Sequence, residues 1–249
     1  MPAFSDHFSA TAASYASYRP QYPAALFAWL ATATSRHDRV WDCGTGSGQA
    51  AVALAPHFAG VVASDPSVAQ LANARRAERV TYVAMTAEQC ALDAGSVDLV
   101  TVAQALHWFD HARFFAEVDR VLRPGGALAV WSYGLLTIDP VLDVPLHHFY
   151  WNVLGPHWPA ERSLVDSGYA GIALPYAEVA PPAFAMEVSW TLPQLEGYLS
   201  TWSALDRYRS VVGTDPLPDL ARRLAPPWGA GTTRHVRWPL VVRLGHKPT

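Results

Sequence analysis

Hydrophobic positions along this chain come in short blocks whose period alternates between that of a strand and that of a helix. Apolar runs bounded by turn residues read as strands at 39–43, 60–64, 80–84, 97–102 and 127–132. Runs of four to eight residues rich in Val, Leu and Ala suit strands covered on both faces. Between them the period lengthens, and helices are expected at 48–55, 67–77 and 111–122. In the last of these Phe114, Phe115, Val118, Val121 and Leu122 share one side, and Asp110 stands where it can cap the first turn. A helix also begins near Pro23, which suits a first turn, with Leu26, Trp29 and Leu30 as its apolar stripe. Strands alternating with helices predict an α/β fold, a doubly wound and mostly parallel sheet with helices on both faces.

The pattern changes after Gly134. Fourteen of the 20 prolines lie beyond it, and the alternation is lost. Residues 139 to about 205 read as mainly helical, with a β-excursion around 176–190, and they carry His147, His148, Trp151, His157, Trp158, Trp190 and Trp202. Strand character returns at 232–244, where Val236, Trp238, Leu240 and Val242 alternate. The proline pairs at 181–182 and 226–227 read as loops. The expected organisation is a single domain over 1–249. It comprises a lid at 1–20, a ligand-binding core at 35–134, an insertion at 135–205 covering a substrate, and a helix and strand at 206–249 that complete the sheet.

Composition narrows the partners. A 51% apolar content supplies a large core, and a formal net charge of −3 gives no basic stripe for nucleic acid. No run of 18 apolar residues suggests a membrane span, and the first residues lack the basic start of a secretory signal. The two cysteines, Cys43 and Cys90, are isolated, so neither a disulfide framework nor structural zinc is expected, and a cytoplasmic setting fits.

The chemistry is concentrated at Val40-Trp41-Asp42-Cys43-Gly44-Thr45-Gly46-Ser47-Gly48, where an apolar strand runs into three alternating glycines and then a helix. Glycines let a ligand approach bare backbone, and the helix start offers free N–H groups. Asp42 can orient this turn or meet a cationic group. Seventeen residues after Gly48 a second apolar run ends in Asp65. In a parallel sheet that position lies beside the glycine turn, where a carboxylate can accept both hydroxyls of a ribose. The spacing departs from the G-x-G-x-x-G of nicotinamide-binding turns, because Ala51 follows Gly48 at three residues.

Together with Asp65, Ala87-Glu88, Asp98–Gln104 and Arg120–Gly126, this stretch resembles the class I S-adenosylmethionine-dependent methyltransferases. More narrowly it resembles the type 11 small-molecule enzymes near the trans-aconitate methyltransferase-like branch. Tyr18–Pro23, Ala105–Phe109, Ser200–Leu205 and Arg237–Leu240 extend the resemblance over nearly the whole chain. It implies a seven-stranded sheet of order 3-2-1-4-5-7-6 with the last strand antiparallel. S-adenosylmethionine would be the cofactor and S-adenosylhomocysteine the product. Asp42, Gly44, Gly46 and Gly48 would lie on its methionine and ribose side. Asp65 would hold the ribose, with Pro66 near the adenine, Ala87 and Glu88 at the adenine edge, and Gln104 near the transferred methyl group. Tyr18 and Arg19 would fold over it. Only alignment is demanded of such a protein, since the methyl donor is already electrophilic.

His107 is the candidate base for a hydroxyl acceptor, with His147 and His148 behind it. No metal site is expected, since adjacent positions such as His147-His148 do not share a helix face. Cys43 reads as a small apolar filler. Two rivals remain at this level: an NAD-dependent oxidoreductase on a similar sheet, and a non-catalytic S-adenosylmethionine-binding protein.

Overall fold

The structure is a computed structural model and describes residues 20–249. Helix α1 (Ala24–Thr32) leads into β1 (Arg39–Cys43), α2 (Gln49–Leu54), β2 (Gly60–Asp65), α3 (Val68–Ala72), β3 (Val80–Ala84), β4 (Val97–Ala103), α4 (His111–Val121) and β5 (Leu122–Tyr133). All five strands pair in parallel in the order β3-β2-β1-β4-β5. The later segment folds as α5 (Pro140–His148), a π-helical turn at Phe149–Val153, α6 (Arg162–Asp166), β6 (Glu178–Val179), β7 (Phe184–Trp190), α7 (Leu192–Leu199), α8 (Ser203–Val212), α9 (Leu217–Trp228) and β8 (Arg234–His246). Strand β8 runs antiparallel beside β5, and its far edge carries both β6 and β7. The expected sixth strand is thus two pieces on one neighbour, giving an eight-stranded sheet in which the β-excursion completes the edge.

The central strands β1, β4 and β5 are buried on both faces, which explains their apolar runs, whereas β3 at the sheet edge is only half-buried. Along β1, Val40 belongs to the cluster packed under α1 and α2, while Trp41 and Cys43 join the cluster under α4. Cys43 is 1% exposed, in keeping with a filler role. Caps are where the side chains foretell them. Asp110 accepts from the Arg113 N–H, and Asp139 accepts from the N–H groups of Val141 and Leu142 at 2.9 and 3.0 Å.

Three local expectations change. The helix foreseen at 67–77 stops at Ala72, because the chain beyond it is drawn onto the glycine turn: the Arg75 N–H donates to the Ser47 carbonyl at 3.1 Å. Pro226 and Pro227 are not in a loop but in the last turn of α9. A proline forfeits a helical hydrogen bond, yet the buried Leu217, Leu220, Leu224 and Trp228 hold this helix by its apolar face. Strand β5 starts at Leu122, ahead of the expected 127, with Arg123–Gly126 as an excursion inside it. Val97 pairs with Leu122 and Leu99 already pairs with Ala127. Asp98 pins that excursion. It is 3% exposed, pairs with Arg123, and accepts from the N–H groups of Asp38 and Arg39 at 2.7 and 2.9 Å. Among the described residues no helix is long and apolar enough to cross a membrane.

Candidate active site

The parallel strands bring the glycine turn after β1, the end of β2 and the turn after β4 to one edge of the sheet, the carboxyl edge where open α/β folds bind ligands. The Thr45 N–H donates to the Ser64 carbonyl at 2.9 Å, so the turn is hung from β2. Gly44, Gly46 and Gly48 have φ of +68°, +53° and +77°, a region that side chains disfavour. Their surroundings differ. A Cβ on Gly44 would stand 2.6 Å from the Ala105 Cβ, and one on Gly48 would run into the Tyr82 hydroxyl. At Gly46 a Cβ would meet nothing within 4 Å among the described residues. Two of the glycines therefore serve close packing within the protein, and among the described residues Gly46 is the one whose bare backbone faces open space.

This distinction sets an expectation for Gly48→Ala. The left-handed conformation costs about 1–2 kcal/mol for an L-residue, and overpacking adds roughly 1–3 kcal/mol. Urea unfolding should show a loss of this size, partly recovered by adding Tyr82→Phe, which removes the obstructing hydroxyl. An unchanged midpoint in Gly48→Ala would refute the packing role.

Asp42 is fully buried at the end of β1. Its two oxygens accept from the hydroxyls of Thr45, at 2.5 Å, and Thr101, at 2.7 Å. Burial pushes its carboxyl up to about 6, against the pull of the two hydroxyls. Both oxygens are engaged by hydroxyls of the turn and of β4, an arrangement that fits the reading in which Asp42 orients the turn. Asp65 also braces the turn. One oxygen accepts from the Gly46 N–H and the other from the Ser67 N–H, both at 2.9 Å. Pro66 follows directly, and Ser67 caps α3 by accepting from the Gln70 N–H.

Ala87 is buried at 4% exposure, and the Glu88 carboxylate accepts from the Asp110 N–H at 3.0 Å. Gln104 has φ of +55°, and its amide is spent on the backbone of Tyr133, donating to the carbonyl at 3.1 Å and accepting from the N–H at 2.9 Å. It thereby locks β4 to β5 past the end of their ladder. His107 lies in the short turn Leu106–Trp108, with Nδ1 3.0 Å from the Tyr169 hydroxyl. Burial first, then the Arg162 guanidinium and His111, lower its pKa to about 3. The ring is therefore neutral at ordinary pH and a poor proton acceptor. His147 and His148 are both exposed on α5. Tyr18, Arg19 and the 1–20 segment lie outside the described residues apart from Pro20, whose carbonyl accepts from the Gln49 amide at 2.9 Å. Among the described residues no cluster of His, Cys, Asp and Glu is gathered to hold a metal ion.

Sequence reading missed several members of this edge. Thr101 was legible in principle, as a lone hydroxyl inside an apolar strand. Tyr82 and Tyr169 carried no local signal, because only the folded chain brings them over Gly48 and His107.

A nucleoside cofactor fits what is here: an open backbone cradle at Gly46 and a carboxylate at the end of the next strand. The comparisons agree. A methyltransferase-domain family model matches residues 41–130. A Dictyostelium discoideum protein assigned to the methyltransferases is 34% identical over 225 residues, covering 89% of this chain and 86% of its own length. A Saccharomyces cerevisiae protein assigned as an S-adenosylmethionine-dependent methyltransferase is 32% identical over 130 residues, or 49% of this chain and 45% of its own length. The solved structure of a protein assigned as a type II methyltransferase from Anaeromyxobacter dehalogenans is 42% identical, covers 93% of this chain and 99% of that one, and superposes with a TM-score of 0.88. With β8 antiparallel beside β5, a glycine turn of this build and relatives of this extent, the chain belongs to the class I S-adenosylmethionine-dependent methyltransferases.

Proposed function

We propose that this enzyme methylates a small molecule seated between the Leu106–Trp108 turn and the segment that follows β5. The observation that carries this reading is the aromatic group beside that region. Tyr150, Trp158, Tyr198 and Trp202 pack into one aromatic group with centroids 5.0 to 5.9 Å apart, and Arg162 stands against it as the one arginine or lysine between 135 and 205. A mostly apolar aromatic wall with few polar handles suits a small ligand. A net charge of −3 gives no support to a nucleic-acid acceptor.

In this reading the 35–134 core holds the cofactor and the 135–205 segment selects the acceptor. The cofactor supplies a methyl group already activated by a sulfonium. Gly46 presents its backbone to it, with Gly44 and Gly48 setting the shape of the turn and Asp42 its rigidity. Asp65 accepts the ribose hydroxyls, Pro66 and Ala87 flank the adenine, and Glu88 fixes the edge of that subsite through Asp110. Gln104 shapes the mouth through Tyr133 and does not reach the methyl group with its amide. His107 is a neutral hydrogen-bonding group oriented by Tyr169. Two unpaired cysteines suit a cytoplasmic setting.

The test is transfer of a labelled methyl group from S-adenosylmethionine to a cell extract, followed by ultrafiltration. Label is expected in the small-molecule filtrate. Label retained on protein or nucleic acid would overturn the acceptor class. No label anywhere, with intact binding of S-adenosylhomocysteine, would favour the non-catalytic reading.

A further inference from the structure

We propose that the face of β2 and β3 on the α4 side of the sheet holds a second ligand, a fatty-acid-like molecule whose carboxylate docks between Arg39 and Arg79. The site lies at the amino end of the strands, away from the cofactor edge, and does not depend on the acceptor reading above. Sheet register builds it. Trp41 pairs with Val62 and Val62 with Thr81, so the three share one face, and Val83 lies on it two residues further along β3. Over β1 this face is covered by α4, where the Phe114 and Trp41 ring centroids stand 6.2 Å apart. Beyond β1 that cover runs out. The connection from β3 to β4 contains no helix, and its Met85, Ala91 and Leu92 supply only a wall. What remains is an open groove of about 360 Å³, with Val62, Thr81 and Val83 as its floor.

The same register sets the charge. Arg39 pairs with Gly60, and Val61 pairs with Val80, so Arg39 and Arg79 flank Gly60 at the amino end of the face. Strand spacing puts their backbones about 10 Å apart, and two long side chains can meet at one anion between them. Gly60 puts no side chain in that gap, where a Cβ would come no closer than 3.8 Å to the Asp38 carbonyl oxygen. Both arginines are exposed and border the groove, and neither side chain has a hydrogen bond or ion pair among the described residues. The neighbouring Asp38 is taken by Arg36 and Arg123. No acidic residue lines the groove. Arg79 holds its place at a φ of +65°, which disfavours side chains, so the turn alone would be better served by glycine. Two uncommitted cations at the end of an apolar floor match an amphipathic anion. A carboxylate has two oxygens, one for each guanidinium. A phosphate has a third, and the nearby N–H groups of Ala59 and Val61 are already bonded to the His37 and Arg79 carbonyls, both at 2.8 Å. From Arg79 to Met85 the groove follows β3 for about 20 Å, which suits a straight acyl tail. Its volume is that of a small-ligand pocket.

The experiment titrates octanoate into the full chain by calorimetry. Octanol carries the tail alone, acetate the head alone, and octyl phosphate the rival head. Octanoate is expected to bind at least about 10-fold more tightly than each of these, and the double variant Arg39→Gln, Arg79→Gln to lose about 10- to 100-fold in octanoate affinity. Gly60→Val fills the gap without changing the charge and should lose a similar factor. Both variants should bind S-adenosylhomocysteine within a few-fold of the parent, since neither touches the glycine turn. In the unaltered protein, saturating S-adenosylhomocysteine should leave octanoate binding in place. There, too, octanoate should shift the methyl resonances of Val62, Val83 and Met85, which decides the matter even where a variant unfolds. Octanol or octyl phosphate binding as tightly as octanoate, or full octanoate affinity in either variant, would overturn the proposal. So would displacement of octanoate by S-adenosylhomocysteine, or shifts confined to other methyl groups.

Discussion

Replacing Asp65 by alanine is expected to lower the affinity for S-adenosylhomocysteine by about 100-fold or more. Hydrogen bonds to a charged group contribute roughly 1.5–3 kcal/mol each, and about 1.4 kcal/mol is a factor of ten. Two effects combine. The proposed ribose contacts are lost, and so is the anchor of the turn, because the carboxylate receives the N–H groups of both Gly46 and Ser67. Gly46 is the residue whose backbone faces open space, so its orientation and the ligand contact fail together. Asp65→Asn should fall in between, since an amide keeps one acceptor oxygen and turns an NH₂ toward one of the two donors. Calorimetric titration of S-adenosylhomocysteine decides it. An affinity within a few-fold of the parent in Asp65→Ala would remove Asp65 from the cofactor site.

Asp42→Asn should make the protein more stable at pH 8 and less able to hold the cofactor. Burial raises the Asp42 carboxyl to about 6 in the native state, against about 3.9 for an ordinary aspartate. Between those values the native state keeps a proton that the unfolded chain has released. Stability from this group is therefore greatest below pH 4, declines as pH rises to 6, and stays flat above it. A shift of this size corresponds to about 3 kcal/mol. The neutral asparagine escapes that loss, so the variant and the parent should be alike at pH 4 and diverge by up to about 3 kcal/mol at pH 8. Ionised, Asp42 is acceptor-only and orients both the Thr45 and Thr101 hydroxyls toward itself. An asparagine must donate to one of them, which loosens Thr45 and the turn it begins. Urea denaturation at both pH values, paired with S-adenosylhomocysteine titration, reads both effects. A variant less stable than the parent at pH 8 would mean that the two hydroxyls outweigh the desolvation of the charge.

The contrast between Asp42 and Asp65 illustrates how much was legible beforehand. Both carboxylates stand out in the sequence at the ends of apolar runs. Their separate duties follow from depth, since Asp42 is fully buried while Asp65 lies at the rim, and depth is a property of the packed sheet. The same holds for the glycines, which alternate identically along the chain and face three different environments.

His107 shows the limit from the other side. A histidine just past a strand end, at the edge where ligands bind, is a reasonable base. Burial against Tyr169 and proximity to Arg162 hold it neutral. Both neighbours come from a segment more than 50 residues away, and no local pattern ties them to it.

The sequence by itself determined the alternation of strands and helices, the parallel core from β1 to β5, the glycine turn and the acid that follows it. These rest on local period, turn chemistry and short-range spacing, which a chain carries residue by residue. Tertiary structure alone decided that β6 and β7 share one edge of β8, that two prolines end a helix, that Tyr82 roofs Gly48, and that Arg162 meets the turn after β4. Each of those depends on which surfaces remain to be covered once the sheet has formed. That is a balance of burial and hydrogen bonding over distant segments, and no window of sequence contains it.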